Sequence, residues 1–413
     1  MFRKITFALT LTAVLLAAGC TKSSPGSSND HDNHDGSPEP TPVGNPIGAA
    51  EQVVVGPAGG DFTTSDSRLK LEFPAGALAA QTTITIQPVE DHCPAASGNA
   101  YLITPHDLSF QKPVKLTLNY GDSDIVNTIP AALTIAYQDA QGFWQTPGNM
   151  TKDTTNHQVS VLTNHFSSWA LFRAVELTPA STVVQPGGSV RLTVDEYVDF
   201  SNDSLLPIPA PISKKTLAVK SWSLSGEGKL TPGKDVADYT APNAIPAINP
   251  VAVSATLNTT GPEKFLLVSN IYIGNEGLTF RIDNGPWMHG PASDAFFNGY
   301  YNEFTAANST TPQADGVRIN WMGDSHLNDF VSWKITWPRF QYGEQSNINY
   351  TQISVPSGKP SPGGIYFYQA MKTEVTPYVI GTFYLQQAGK TVVVQNPQFS
   401  NHKIEGFFKV KWK

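Results

Sequence analysis

The sequence predicts an all-β, multi-domain protein, and three observations carry the prediction. Short segments such as Leu69-Lys70-Leu71-Glu72-Phe73, Thr83-Ile84-Thr85-Ile86 and Val114-Lys115-Leu116-Thr117-Leu118 alternate apolar and polar residues, the period of a strand with one buried face. Turn formers separate these segments, with 33 Gly and 32 Pro in the chain, while only 15% of residues are charged. That balance excludes coiled coils and helical bundles. The length of 413 residues implies two to three domains at about 150 residues each. A net charge of −7 offers no field for phosphates, so nucleic acid is not an expected partner. Two cysteines, Cys20 and Cys93, exclude a disulfide scaffold and a Cys-based zinc site.

The first element, residues 1–19, reads as a signal peptide: Arg3 and Lys4, an apolar run from Ile5 to Leu16, then Ala17, Ala18 and Gly19 before Cys20. The apolar run is shorter than the roughly 20 residues that span a bilayer. Small residues ending at a cysteine resemble the lipobox of bacterial lipoproteins, with Ala17 where Leu is usual. The resemblance implies that the Cys20 thiol receives a diacylglycerol and becomes the mature N-terminus, making a membrane the expected partner. By resemblance to the sorting signals of Gram-negative lipoproteins, Thr21 rather than Asp after the cysteine implies the outer membrane, on its periplasmic face or at the cell surface. Residues 20–48 are Ser, Gly, Asn, Asp, Pro and His with few large apolar side chains, which predicts a disordered tether. The run Asp30-His31-Asp32-Asn33-His34-Asp35 holds metal-binding residue types, but without a rigid frame it reads as a spacer.

Residues 49–173 are expected to form a β-sandwich. Gly59-Gly60, the segment Phe73-Pro74-Ala75-Gly76-Ala77-Leu78, Phe110-Gln111-Lys112-Pro113-Val114 and the closing His165-Phe166-Ser167-Ser168-Trp169 resemble the ZU-type β-domain of ankyrins and netrin receptors. Such domains are mostly interaction or spacer modules. In some of them a His-Phe-Ser triplet cleaves itself between Phe and Ser, which would make His165, Phe166 and Ser167 catalytic. The other reading of the triplet is a last strand with Phe166 and Trp169 packed inside.

Residues 174–273 carry Ser189-Val190-Arg191-Leu192-Thr193-Val194, Lys220-Ser221-Trp222-Ser223-Leu224 and Tyr239-Thr240-Ala241-Pro242, which resemble bacterial immunoglobulin-like domains. The resemblance implies a second sandwich with Trp222 in its core. Asp195, Glu196, Asp199 and Asp203 place four carboxylates in nine residues, a composition that suits Ca²⁺. Lacking the spacing of a calcium loop, they read as a solvated loop.

Residues 274–413 are expected to form an aromatic-rich C-terminal β domain. Alternation puts Val331, Trp333, Ile335 and Trp337 on one buried face, and Trp321 with Val317 and Ile319 on another. Tyr366 and Tyr368 fall opposite Ile365 and Phe367, and Trp287 follows the turn signal Asp283-Asn284-Gly285-Pro286. With Tyr384 they form the candidate ligand-binding group. Two roles are open to them: stacking on a ligand such as a glycan, or packing against other sheets. The strand endings near Gly381 and Gly406 loosely resemble the terminal β-domains of Bacteroidetes lipoproteins.

Catalytic and metal motifs are missing. Gly389-Lys390-Thr391 lacks the first Gly of a phosphate loop, having Tyr384 there, and no His-Glu-x-x-His occurs. His92 and Cys93 supply only two neighbouring ligands, so Cys93 reads as a small buried residue. No cofactor is expected. The function expected is that of an outer-envelope lipoprotein acting as a non-enzymatic binding or adhesion module. The alternatives are a structural scaffold with envelope-protein partners and self-cleavage at Phe166/Ser167.

Overall fold

A computed structural model describes residues 38–106, 108–148, 150–198, 210–211, 215–216, 219–258, 265–297, 300–307, 316–323, 329–344, 347–369 and 378–411. Cys20, Asp199, Asp203 and the Asp30–Asp35 run lie outside them. Among the described residues there is no α-helix, and the strands form five sheets.

Two sheets make the first sandwich. One orders the strands Glu51–Val55, Thr82–Val89, Ala100–Thr104, Ser168–Arg173, Leu133–Gln138, Trp144–Thr146 and Ala210–Pro211; the other orders Gly60–Thr63, Leu69–Phe73, Val114–Asn119, Gln158–Thr163 and Met150–Asp153. The alternation in Leu69–Phe73 does what its period predicts. Leu69, Leu71 and Phe73 are buried, while Lys70 and Glu72 face outward and pair at 3.2 Å, with Lys115 joining at 3.2 Å. Phe73, Phe110 and Phe166 meet edge to face, with centroids 4.8–6.2 Å apart. Each such ring stabilises the fold by about 1.5–3 kcal/mol through burial.

The second sandwich packs Val175–Thr178, Ser189–Glu196, Val236–Thr240 and Lys229–Pro232, with Lys215–Thr216 at the side, on a sheet of Ser181–Val184, Leu266–Ile273, Val251–Leu257 and Val219–Ser225. Trp222 is half-buried against this core. The third region is one eleven-stranded sheet folded over its own core. The long strand Tyr378–Val392 pairs along one side with Gln398–Lys411, and along the other first with Gly363–Gln369 and then with Ile348–Thr351. Phe304 meets Phe408 at 5.0 Å and Phe280 meets Tyr342 at 4.9 Å across the fold.

Side chains and strands cross between neighbouring regions. Glu176 accepts hydrogen bonds from Arg173 (3.0 Å), Asn127 (2.8 Å) and Tyr197 (3.0 Å). Ala210–Pro211, from within the second region, adds a strand beside Trp144–Thr146 of the first. Between the second and third regions, Val183 and Tyr272 pack with Ile380, Phe407, Trp287, Tyr368 and Tyr378.

Three expectations are corrected. Residues 41–48, expected to belong to the tether, are instead bound to the first sandwich by hydrogen bonds rather than by apolar burial. Thr41 N–H donates to Gly142 O (2.9 Å), Trp144 Nε1–H to Thr41 Oγ1 (2.9 Å), and Ile47 N–H to Pro88 O (3.1 Å). Composition is blind to such backbone pairing. Asp195 and Glu196 do not belong to a solvated loop: they are buried at the end of the strand Ser189–Glu196. The buried face from Val331 to Trp337 is interrupted, since the strand Asp329–Ser332 stops there. Trp333 is buried, Trp337 is half-buried against Tyr301 and under Arg339, and Ile335 is 65% exposed. Pro338 has no N–H for a ladder and disfavours continuation of regular structure before it.

Candidate functional site

The four aromatic candidates divide into two groups. Trp287 and Tyr368 belong to the joint between the second and third regions. The Trp287 ring lies 5.6 Å from Phe407, with the Arg281 guanidinium 4.5 Å above it, and the Tyr368 hydroxyl hydrogen-bonds Thr382 Oγ1 at 3.0 Å. Burial, reinforced by Tyr368, pushes the Tyr272 hydroxyl's pKa well up. These two rings pack between sheets.

Tyr384 and Tyr366 lie on the outer face of the third sheet, and the structure adds Phe330 to them. Register brings them together: Phe330 is opposite Tyr366, and Gly364 is opposite Tyr384. Phe330 and Tyr384 are 42% and 41% exposed, and their rings are near parallel, 25° apart with centroids at 6.4 Å. Half-buried Tyr366 continues the strip 6.5 Å from Phe330 and 5.0 Å from Tyr368. Glycine lets the rings lie on the backbone. A Cβ on Gly364 would come within 2.8 Å of the Phe330 ring and 2.3 Å of the Val331 carbonyl; one on Gly363, at φ +122°, within 2.9 Å of the Tyr384 ring. Below the strip, Trp333 donates its Nε1–H to the Tyr384 carbonyl at 2.7 Å, which holds that segment in place.

A charged group borders the aromatic strip. Glu405 is the cross-strand partner of Tyr384 and binds Arg281 Nε at 2.7 Å and Lys403 Nζ at 2.8 Å. Burial alone would raise the Glu405 pKa; hydrogen bonds from Lys403 and Arg281 outweigh it and hold the carboxyl below its usual range. The face therefore presents flat apolar rings beside an ionised carboxylate and two cations.

Sequence reasoning missed Phe330, Arg281, Lys403 and Glu405. Phe330 carried a signal, since it alternates with Val331 on the strand Asp329–Ser332, but nothing local paired it with Tyr366.

The His165-Phe166-Ser167 triplet immediately precedes the strand Ser168–Arg173 of the first sandwich. Phe166 is a core ring, the Ser167 hydroxyl donates to the Gln138 carbonyl, and the His165 ring contacts Thr163, Tyr137 and Trp169. Burial, then the charge of His106, pulls the His165 pKa down. Cys93 is buried, and burial pushes its thiol's pKa well up. No group of three His, Cys, Asp or Glu among the described residues is arranged to hold a metal ion, and no helix among them is long and apolar enough to cross a membrane. No family model matches the chain, and no curated protein matches it.

Proposed function

We propose that this protein is a lipid-anchored binding protein of the outer envelope, with Cys20 as its anchor and the Phe330–Tyr366–Tyr384 face as its recognition surface for a glycan, which that face binds without chemical change. The observation that carries the reading is the pair of exposed, near-parallel rings of Phe330 and Tyr384 beside Glu405, Arg281 and Lys403. Sugars offer apolar C–H faces to aromatic rings and hydroxyls to charged donors and acceptors. A site of this kind combines flat apolar contact with a few placed polar groups. Anchoring adds avidity, because many copies on one membrane convert a weak site into firm attachment to a polymer.

A scaffold role with protein partners is favoured by a different observation. Glu51–Val55 is an edge strand of the seven-stranded sheet with Val54 exposed, and an open edge accepts a strand from another chain.

The test is binding of the mature chain carrying Cys20→Ala to a panel of polysaccharides, read by pull-down and tryptophan fluorescence, beside Phe330→Ala and Tyr384→Ala. Saturable binding that each variant weakens about tenfold or more supports the glycan reading. Binding unaffected by both variants, or none across the panel, overturns it in favour of the scaffold.

A further inference from the structure

The strand Gln398–Lys411 continues past the end of the third core, carrying Ser400 and His402 on the side that Ile404 and Phe408 use inside it. Ser400 Oγ lies 2.8 Å from His402 Nε2, and His402 Nδ1 lies 2.5 Å from Asp283 Oδ2. Asp283 is fixed in its turn. Its Oδ1 accepts the Lys403 N–H at 2.8 Å, its own N–H donates to Lys403 O at 2.9 Å, and Gly285 N–H closes the turn onto Ile282 O at 2.8 Å. Burial would raise the Asp283 pKa, but His402 and the Lys403 N–H outweigh it, so the carboxyl stays ionised below its usual range.

A carboxylate at Nδ1 keeps the imidazole proton there and leaves the Nε2 lone pair facing the serine hydroxyl. The edge of buried Tyr350 meets the His402 ring at 5.6 Å and 73°, which sets the ring plane. Lys390 is the cross-strand partner of Ser400, with its ammonium 5.2 Å from the Tyr350 ring centre.

We infer that Ser400, His402 and Asp283 form a nucleophilic site that accepts acyl groups from short-chain esters, an activity separate from the aromatic face. The arrangement supplies the nucleophile, the base within hydrogen-bond reach, and the group that orients the base. In the step, His402 Nε2 takes the Ser400 proton as Oγ bonds to the acyl carbon, and Lys390 stabilises the negative oxygen. The bond from carbon to the alkoxy oxygen then breaks, and the proton passes from His402 to the departing alcohol. Water repeats the sequence, releasing the acid and restoring the serine. Short acyl groups suit the site because Ser400 is exposed beside a lysine rather than lined by an apolar wall.

The test treats the mature chain with a fluorophosphonate, which loses fluoride to an activated serine, maps the label by peptide mass spectrometry, and follows p-nitrophenyl acetate hydrolysis. The expected result is a label on Ser400, absent in Ser400→Ala and slowed about tenfold or more in Asp283→Asn, with ester hydrolysis falling in parallel. Asn tolerates the φ of +49° at position 283, and circular dichroism checks that each variant keeps its β signal. No label on Ser400, or labelling of Asp283→Asn at the unmodified rate, overturns the inference.

Discussion

Replacing Asp91 by Asn tests how the first sandwich holds a buried acid. Asp91 Oδ1 accepts the Cys93 N–H at 2.8 Å, while Oδ2 is buried with no hydrogen-bond partner. Burial pushes its pKa up to about 7, against the pull of the Cys93 and Ser97 N–H groups and the charge of Arg173. The unfolded chain holds the same proton with a pKa of about 3.9. Since the folded value is the higher one, the folded state binds the proton more tightly. The resulting stability is complete below about pH 4, falls as pH rises, and is gone above about pH 7. Between pH 5 and pH 8 the loss reaches about 2.5 kcal/mol, an upper figure because the residue as a whole is only partly enclosed. Asn carries no titrating proton and lacks this slope. The assay is urea unfolding at pH 5, 6.5 and 8, followed by fluorescence of Trp144 and Trp169, which lie in the same sandwich. Relative to the unmodified chain, Asp91→Asn gains about 1–2.5 kcal/mol on going from pH 5 to pH 8. His165 and His289, whose pKa values burial pulls down, are common to both chains and cancel in the difference. A difference between the chains that stays constant across the three pH values refutes the argument.

Trp287→Ala removes a ring from the joint between the second and third regions and costs about 2 kcal/mol, read as a lower melting temperature; an unchanged temperature contradicts its packing role. Gly364→Ala forces Phe330 and the Val331 carbonyl apart and costs about 1–3 kcal/mol, seen in the denaturation midpoint, whereas Ser357→Ala, on an exposed turn, stays within about 0.5 kcal/mol. On the proposed anchoring, Cys20→Ser removes lipid attachment and shifts the protein from the membrane to the soluble fraction; a variant still sedimenting with membranes refutes the anchor. Intact mass of the purified Cys20→Ser chain shows a single species, since the Ser167 hydroxyl is committed to Gln138; two fragments meeting between Phe166 and Ser167 contradict that.

Local alternation determined much of this protein before any folding. The period of two in Leu69–Phe73, Val114–Asn119 and Gly316–Met322 assigns each side chain to a face, and a face with Val317, Ile319 and Trp321 on it has only the core to go to. All-β class and the burial of Trp321, Trp333 and Phe166 were therefore legible. What each outward face meets was not. Trp287 and Tyr368 point away from their own core and are covered by Val183 and Tyr272 of the preceding region; Tyr384 points the same way and is left open beside Phe330. Residues 41–48 were read as a tether because composition measures apolar burial, whereas backbone groups attach them. Asp283 and His402 lie 119 positions apart, and only the pairing of Gly277–Ile282 with Gln398–Lys411 brings a carboxylate to an imidazole already facing a serine. Alternation is a property of one strand, while register and sheet contact arise between strands. Where a strand persists, the sequence alone determined which way its residues point; the tertiary structure decided where each strand stops and what stands on either face.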